Sequence, residues 1–470
     1  MGKGKKLISN AFILALGTFA SKFLVFFMMP FYTRCLLPEE YGAADLISQT
    51  ANLLIPLACA GITHGVFRFA VDKQEDPKKI FSSGLSVLLS ASVVFALLSP
   101  LLGLFTPLSP YVALVVFYVI SANIHAVVAQ YIRAKGKILL FSLGGLMGTA
   151  LTIAFNILFL VGMDMGAEGY VLSVVMGDVV VTLLLFLSAR LWRDVDIRSV
   201  AFSKAKELLK YSVPLIPATI FWWITSVSDR FLVIAIEGEA VNGLYAAGYK
   251  VPTLITLLCG IFIDAWQLSA LSENNEEDRR AFFGDVFVIF GGILFMGGSA
   301  VTLFSKVATR LLLAENYFES WRFVPVLAIA MVLYALVTFL GSVYTVEKKS
   351  VNSLITSAVG AVVNVALNLV LIPLWSAMGA AIATLVSYLV VMLLRMADSR
   401  RFLRFPLHLP LLLINGTLLG AQCVITVLEP SWWIPASAGI SIMILALNGR
   451  NILRGVLPIL KKILAKLKKS

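Results

Sequence analysis

The sequence predicts an all-α polytopic membrane protein with about 14 transmembrane helices. Hydrophobic residues make up 59% of the 470-residue chain and charged residues only 14%. In ordinary soluble domains, about a quarter of the residues are charged. Apolar segments of about 18 or more residues recur from end to end, and each is long enough to cross a hydrocarbon core of about 30 Å. The mean hydropathy of +0.92 agrees with this class.

Six spans are predicted in the first half of the chain. The apolar segment after the basic N-terminus is too long for a signal peptide, so we expect it to remain as the first span. The second span ends near Phe69, spans three and four flank the turn at residues 106–110, and spans five and six flank residues 161–169. The basic linker 189–210 is the best candidate for a domain boundary, and the N-lobe is predicted at residues 1–203.

The second half repeats this plan, and the C-lobe is predicted at residues 204–399. Spans seven and eight flank residues 237–243, spans nine and ten follow an acidic loop, and spans eleven and twelve end at the basic stretch 395–404. Residues 400–470 add two further spans and a basic tail. Apolar residues alternate with lysines in this tail, which is typical of an amphipathic helix lying on an anionic inner leaflet.

The positive charges predict the orientation of the spans. The net charge is +12, but the cations concentrate in short connections between apolar segments, which argues against nucleic acid as a partner. With a cytoplasmic N-terminus, the even-numbered connections and both termini hold almost all of these cations. The odd-numbered connections hold little beyond Arg34, Lys306, Arg310 and Arg322. The positive-inside rule therefore predicts an N-in, C-in protein.

The chain contains an internal repeat. Residues 131–169 align with residues 344–381, and the alignment pairs Tyr131 with Tyr344, Lys135 with Lys348, Asn156 with Asn368 and Gly166 with Gly379. Because an even number of spans separates the copies, both halves enter the membrane in the same direction. Parallel repeats predict two six-helix lobes related by a pseudo-two-fold axis along the membrane normal, with a cavity between them.

Span seven contains charged residues at membrane depth. Asp229 and Arg230 lie inside its apolar run, and Pro214 and Pro217 interrupt the hydrogen-bond ladder near its start. A charged side chain there costs about 2.5 to 3.5 kcal/mol on insertion scales, so such groups usually face a bundle interior or a water-filled cavity. The pair is therefore a candidate substrate site, and an interhelical ion pair or an interface anchor is the alternative.

Other ionisable residues in or near the spans are further candidates. Lys22 lies near the middle of span one, where it either lines a cavity or pairs with Asp178 of span six. Lys250 either lines the cavity or snorkels to the surface, and Arg68 is either a phosphate contact or a cytoplasmic anchor. The candidates for proton or sodium coupling are Asp264 and Asp178. The alternative is helix packing for Asp264 and the ion pair with Lys22 for Asp178.

No pattern in the sequence indicates covalent chemistry, a cofactor or a bound metal. The histidines His64 and His125 are isolated, and no Walker loop or nucleophile-elbow motif is present. The cysteines show no paired spacing, and they are Cys35, Cys59, Cys259 and Cys423. The sequence therefore predicts a transporter and not an enzyme.

Three stretches of the sequence resemble the polysaccharide-type flippases of the multidrug/oligosaccharidyl-lipid/polysaccharide (MOP) exporter superfamily. They are residues 36–46, 214–252 and 364–390, and the resemblance extends over nearly the whole chain. It implies a V-shaped bundle in a bacterial plasma membrane that moves an undecaprenyl-diphosphate-linked oligosaccharide from the inner to the outer leaflet. The resemblance also implies that cavity cations engage the diphosphate or acidic sugars, a role that Lys22, Arg230 and Lys250 fit.

Three other functions remain as alternatives at the level of sequence. Lipid II flippases are a related branch, but they carry more arginines in the early spans. A drug or cation antiporter of the same superfamily would favour an acidic cavity. A membrane glycan polymerase would carry a large extramembrane loop, and it is expected here only as a protein partner, together with other polysaccharide assembly proteins.

Overall fold

The computed structural model describes residues 21, 23–72, 75–272, 276–347 and 349–467. Within these ranges the chain forms helices joined by short turns, and no strand occurs in them. The chain divides into two compact units. Unit 1 comprises Met1–Val227 and Glu237–Gly243, and unit 2 comprises Ser228–Ile236 and Leu244–Ser470.

Among the described residues, unit 1 contains eight complete α-helices, and the last of them lies in the linker. In chain order these are α1 (Met29–Cys35), α2 (Pro38–Ala58), α3 (Ile62–Ala70), α4 (Pro77–Leu98), α5 (Val112–Ala134), α6 (Ile138–Asn156), α7 (Gly166–Ser188) and α8 (Phe202–Ser212).

The next helix, α9 (Ile216–Glu237), and the helix after it contribute residues to both units. The remaining helices are α10 (Glu239–Lys250), α11 (Thr253–Ser272), α12 (Glu276–Leu303), α13 (Ser305–Leu312), α14 (Val324–Val346), α15 (Ser350–Ser399), α16 (Leu409–Leu428) and α17 (Trp433–Leu467). The break expected at Pro214 is present as a 3-10 turn, Val213–Leu215, directly before α9.

Most of the predicted spans correspond to long apolar helices. Among the described residues, nine helices are long and apolar enough to cross a membrane, and the pair α2 and α3, bent by 57°, makes a tenth span. Helix α15 counts as one of the nine, but it extends over 50 residues, or about 75 Å, which is far more than one span requires. It therefore corresponds to spans eleven and twelve, and the helix content is consistent with about 14 spans.

The two copies of the internal repeat break their helices at equivalent positions. Helix α15 is kinked at Trp375 and Ser376, where Ser376 has a φ of 52°. In the first copy, α6 ends in a π-helical turn that leads to Asp164, which also has a φ of 52°. Asp164 and Ser376 occupy the same position in the register that pairs Asn156 with Asn368, so the predicted repeat extends to the backbone conformation.

Aromatic stacking fills the interior of each unit. In unit 1, the rings of Phe81 and Tyr131 stack with centroids 4.2 Å apart, and both residues are fully buried. In unit 2, the Trp266 ring lies 5.0 Å from the Phe339 ring, and its Nε1 donates a hydrogen bond to Ser342 Oγ at 3.0 Å. Since lipid is as apolar as these side chains, close packing and hydrogen bonds hold the helices together.

Polar side chains attach α16 and α17 to α12 within unit 2. The Gln422 amide donates to the backbone oxygen of Ser299 at 3.1 Å and to Ser437 Oγ at 3.0 Å. In turn, Ser299 Oγ donates to Gln422 Oε1 at 2.7 Å. Asn415 and Asn448 exchange a reciprocal pair of amide hydrogen bonds. The two helices after the repeats are thus part of the packed unit 2.

The linker that follows α7 is folded and docked within unit 1. Lys204 of α8 forms ion pairs with Glu75 at 2.9 Å and with Glu207 at 2.7 Å. Burial disfavours the charged form of Lys204, but the hydrogen bonds to Glu207 and Glu75 outweigh this effect and raise its pKa. Ser212 Oγ accepts a hydrogen bond from the backbone N–H of Gly65 at 3.0 Å. The linker is therefore an ordered element on the surface of unit 1.

Candidate functional site

The charged pair of span seven lies inside unit 2. Asp229 and Arg230 are 2% and 5% exposed, and both belong to the part of α9 that is assigned to this unit. Charges at membrane depth require protein partners because lipid offers none. The surroundings of this pair are therefore the first place to look for a site.

Asp229 accepts hydrogen bonds from donors on three helices. Its Oδ2 accepts from Tyr245 Oη of α10 at 2.6 Å and from Thr384 Oγ1 of α15 at 3.3 Å. Its Oδ1 accepts from the backbone N–H of Arg230 at 2.9 Å. Because one carboxyl group joins α9, α10 and α15, any change in its charge acts on all three helices.

A chain of hydrogen bonds extends from Thr384 to amide side chains in the first part of α15. Asn364 Nδ2 donates to Thr384 Oγ1 at 3.4 Å, and Asn364 Oδ1 accepts from Ser228 Oγ at 3.0 Å and from Asn368 Nδ2 at 2.9 Å. Asn368 Oδ1 is buried and has no hydrogen-bond partner among the described atoms. We call the set Ser228, Asp229, Tyr245, Asn364, Asn368 and Thr384 the Asp229 cluster.

The oxygen atoms of the Asp229 cluster are suited to binding a proton or a hard monovalent cation. It offers carboxylate, hydroxyl and amide oxygens, which are the ligands that hard cations prefer. The open acceptor on Asn368 supports this fit, because a buried oxygen without a donor is unfavourable unless something else satisfies it. In the part of the chain that the structure describes, no group of three or more His, Cys, Asp or Glu residues is arranged so that it could hold a metal ion.

Arg230 contacts the aromatic side chain one helical turn beyond Tyr245. Its Cζ lies 4.9 Å from the centroid of the Tyr249 ring, in a cation–π contact. Successive turns of α10 thus hold the two charges of α9, Tyr245 at Asp229 and Tyr249 at Arg230. Both charges are covered by protein in this structure, and their role in substrate binding stays a prediction.

The other predicted cations are less buried than Asp229 and Arg230, or lie outside the described residues. Lys250 is half-buried at the end of α10, one residue after Tyr249. Arg68 is exposed in the last turn of α3, in unit 1. Lys22 lies outside the described residues, so its predicted cavity role and its predicted ion pair with Asp178 both stay predictions.

Of the two acids predicted for ion coupling, the structure describes the side chain of one. Asp178 lies half-buried in α7 of unit 1, close enough to Tyr118 for an electrostatic interaction. Asp264 belongs to α11, but its side chain lies outside the described part of the structure. The cluster that the structure does assemble from oxygen ligands is centred on Asp229, which sequence reasoning assigned to substrate binding.

Sequence reasoning missed most members of the Asp229 cluster. Tyr245, Asn364 and Thr384 are uncharged, so hydropathy and charge patterns do not single them out. One signal was present, because Asn364 and Asn368 are four residues apart and therefore share a face of a helix that is otherwise apolar. Asn368 was noticed only as half of the repeat pair with Asn156.

Arg395 was also misplaced by sequence reasoning, which set it in the basic stretch after span twelve. Helix α15 continues to Ser399, and Arg395 is only 7% exposed. Its guanidinium donates to the Val337 backbone oxygen at 2.8 Å, to Ser357 Oγ at 3.0 Å and to Thr356 Oγ1 at 3.1 Å. The basic stretch thus begins after Arg395, because these acceptors satisfy the arginine inside unit 2.

Comparison with known proteins agrees with the helical architecture. The family model described as "Polysaccharide biosynthesis protein" matches residues 7–267, which is more than half of the chain. No curated protein sequence gives a significant match.

Several solved structures share the fold. The lipid II flippase MurJ in an inward closed conformation gives a TM-score of 0.70 at 13% identity, over 95% of this chain and 100% of that chain. An inward-facing multidrug resistance MATE family transporter of the MOP superfamily gives 0.65 at 16% identity, over 81% and 94%. A variant of the Vibrio cholerae MATE transporter VcmN gives 0.55 at 15% identity, over 84% and 97%.

These similarities confirm the predicted fold class and the predicted resemblance. The long apolar helices and the family match also confirm the predicted location, a bacterial membrane crossed many times. The solved structures that share this fold include a lipid II flippase and multidrug transporters. The chain therefore belongs to the polysaccharide biosynthesis protein family.

Proposed function

We propose that this protein is a flippase that moves an undecaprenyl-diphosphate-linked oligosaccharide from the inner to the outer leaflet by alternating access. Membership of a polysaccharide biosynthesis family supports a glycan cargo, and the fold shared with a lipid II flippase supports a lipid carrier. The observation that carries the proposal is the buried Asp229–Arg230 pair in a membrane helix of a chain from this family.

Cationic side chains supply the substrate contacts in this proposal. A diphosphate is an anion that Lys and Arg side chains bind through charge-assisted hydrogen bonds. Within the spans, the diphosphate would be bound by Lys22, Arg230 and Lys250. At the cytoplasmic end, the candidate is Arg68. Arg230 is held against Tyr249 in this structure, so it must leave that ring to meet a substrate.

The Asp229 cluster is the candidate site for coupling to protons or sodium ions. The oxygens that would hold the cation are those of Asp229 and Thr384 and the amide oxygens of Asn364 and Asn368. A bound proton or cation would supply positive charge beside the carboxylate. Because Asp229 joins α9, α10 and α15, the occupancy of this site would change the hydrogen bonds that hold Arg230's helix in place.

Translocation in proteoliposomes tests the cargo. A fluorescent undecaprenyl-diphosphate oligosaccharide would be incorporated, and its exposure on each leaflet would be followed with a membrane-impermeant quencher. The intact protein should equilibrate the lipid across the bilayer, whereas Lys22→Ala and Arg230→Ala should slow this strongly at matched amounts of folded protein. Arg322→Ala, which removes an exposed cation with a side chain 57% accessible, is the matched control and should transport normally.

The same assay tests the coupling site and separates the alternatives. Asp229→Asn should remove the dependence of transport on a proton or sodium gradient, and Tyr245→Phe should weaken it. Normal transport by Lys22→Ala and Arg230→Ala would contradict the assignment of the substrate cations. Transport of lipid II in preference to the oligosaccharide lipid, or export of small cations alone, would contradict the proposed cargo. Polymerisation of the glycan by the protein would show an enzymatic activity and contradict the proposed transport function.

A further inference from the structure

The linker, residues 189–210, exposes several large apolar side chains. Ile197 is 86% exposed and Phe202 is 84% exposed. Large apolar side chains grouped on one surface indicate an interaction site, because water disfavours them. The apolar members of this surface, which we call the linker surface, are Trp192, Val195, Ile197, Val200 and Phe202.

Exposed cations are interleaved with these apolar residues. The cationic members of the linker surface are Arg190, Arg193, Arg198, Lys206 and Lys210. The acids of the same segment are paired within unit 1: Asp194 pairs with Lys135 at 2.6 Å, and the partly exposed Glu207 pairs with Lys204 at 2.7 Å. Asp196 Oδ1 accepts a hydrogen bond from the backbone N–H of Arg198 at 2.9 Å. The charge presented outward by the linker is therefore mainly positive.

The opposite side of the linker is fixed to unit 1, so the exposed residues cannot turn inward. Leu191 and Leu208 are fully buried, and Lys204 is 8% exposed. In a helix, residues seven apart share a face, which places Phe202 and the half-buried Leu209 together. Ser203 follows Phe202 by about 100° around the helix axis, so α8 presents a protein-bound face, an apolar face and a polar face.

The position of the linker in the chain places it next to the membrane. Helix α7, which is one of the long apolar spans, ends at Ser188, directly before the linker surface. The linker is also one of the basic connections that the positive-inside rule assigns to the cytoplasm. The inner leaflet of such a membrane is anionic and attracts basic segments. An apolar surface interleaved with cations is the pattern of a segment that lies in the bilayer interface.

We propose that the linker surface inserts into the inner leaflet and binds anionic phospholipid headgroups. The apolar side chains enter the boundary between headgroups and acyl chains, to a depth of about 5 to 10 Å, and the cations contact the lipid phosphates. The polar face with Ser203 remains in water. The linker thus anchors the connection between the two repeats to the membrane, a role separate from the binding of any transported substrate.

Spin-label depth measurements test this proposal on the full-length protein. The native cysteines would be replaced, and single cysteines would be introduced as Ile197→Cys, Phe202→Cys and Ser203→Cys for labelling. In nanodiscs of phosphatidylglycerol and phosphatidylcholine, labels at positions 197 and 202 should be several-fold less accessible to an aqueous nickel chelate than the label at position 203. Their accessibility to oxygen should be correspondingly higher. Ser203 is the matched control because it is exposed on the same helix.

Charge dependence provides the second readout. Changing the five cations of the linker surface to glutamine should reduce the amount of phosphatidylglycerol that co-purifies with the protein and move the label at position 202 toward water. Equal nickel accessibility at positions 197, 202 and 203 in nanodiscs would overturn the proposal. Labels that are aqueous in nanodiscs but shielded in native membrane vesicles would also overturn it, since a protein partner would then cover the surface.

Discussion

Buried polar residues in the spans are held by groups from several helices. The Asp229 carboxyl group accepts hydrogen bonds from a tyrosine of α10 and a threonine of α15. The Arg395 guanidinium donates hydrogen bonds to a carbonyl of α14 and to two hydroxyls of α15. Such residues fix the rotation of neighbouring helices, because a polar group in the hydrocarbon region is unfavourable unless its partners are in place.

Arg395 gives a test of this role. Arg395→Leu should destabilise the protein by about 3 kcal/mol, because hydrogen bonds from a charged group contribute about 1.5 to 3 kcal/mol each and are not fully additive. Arg395→Lys should restore only part of this loss, since an ammonium group cannot reach three separated acceptors as a planar guanidinium does. Thermal unfolding in detergent, followed by intrinsic fluorescence, measures the difference.

The nearby Arg401 is the matched control for this prediction. Its side chain is 78% exposed and lies 3.5 Å from Asp398. Exposed ion pairs contribute about 0 to 1 kcal/mol, so Arg401→Leu should change the stability little. An equal loss of stability in Arg395→Leu and Arg401→Leu would show that burial of the guanidinium is not the cause.

At the scale of helices, two glycines within unit 1 lie where the backbones of α2 and α10 come into close contact. A Cβ on Gly42 of α2 would overlap the backbone oxygen of Glu239, and a Cβ on Gly243 would overlap the backbone oxygen of Pro38. The amide of Asn242 donates to the Gly42 oxygen at 3.2 Å. Both glycines therefore allow the backbones of α2 and α10 to approach each other closely.

Alanine at either glycine should therefore disrupt this close contact. We expect Gly42→Ala and Gly243→Ala each to destabilise the protein by about 1 to 3 kcal/mol, the usual penalty for an overpacked site. Gly145→Ala is the control, because a Cβ on this glycine of α6 meets nothing within 4 Å. That control should gain about 0.5 to 1 kcal/mol from helix propensity, and a loss of similar size in all three variants would contradict the explanation. Unfolding of each variant, monitored in a thermal shift assay, measures the change in stability.

For the whole molecule, the distribution of charge remains the evidence for orientation. Lys78 and Arg310 are both exposed, and they lie in connections that the positive-inside rule assigns to opposite sides of the membrane. In a chain without the native cysteines, Arg310→Cys should react with a membrane-impermeant maleimide in intact spheroplasts. Lys78→Cys should react only after permeabilisation, and labelling of both residues from the outside would contradict the N-in, C-in prediction.

The sequence by itself determined the fold class, the approximate number of spans, the internal repeat and the family. These properties follow from hydropathy, charge and residue spacing, which are local to each segment and can be read without knowing how the segments pack. The charged residues Asp229 and Arg230 could be singled out for the same reason, since charge in an apolar segment is unfavourable without partners.

Only the tertiary structure decided which residues surround that charge and where the linker lies. Thr384 reaches Asp229 across 155 residues of sequence, and this contact depends on the rotation and packing of α9 and α15. Uncharged Tyr245 and Thr384 do not stand out in hydropathy or charge, and Arg395 resembles a cytoplasmic cation until its acceptors are in place. The linker reads as a basic connection, and docking of Lys204 and Leu208 decides that Ile197 and Phe202 face outward. Contacts between distant segments are set by how helices pack, and that information is not local to any segment.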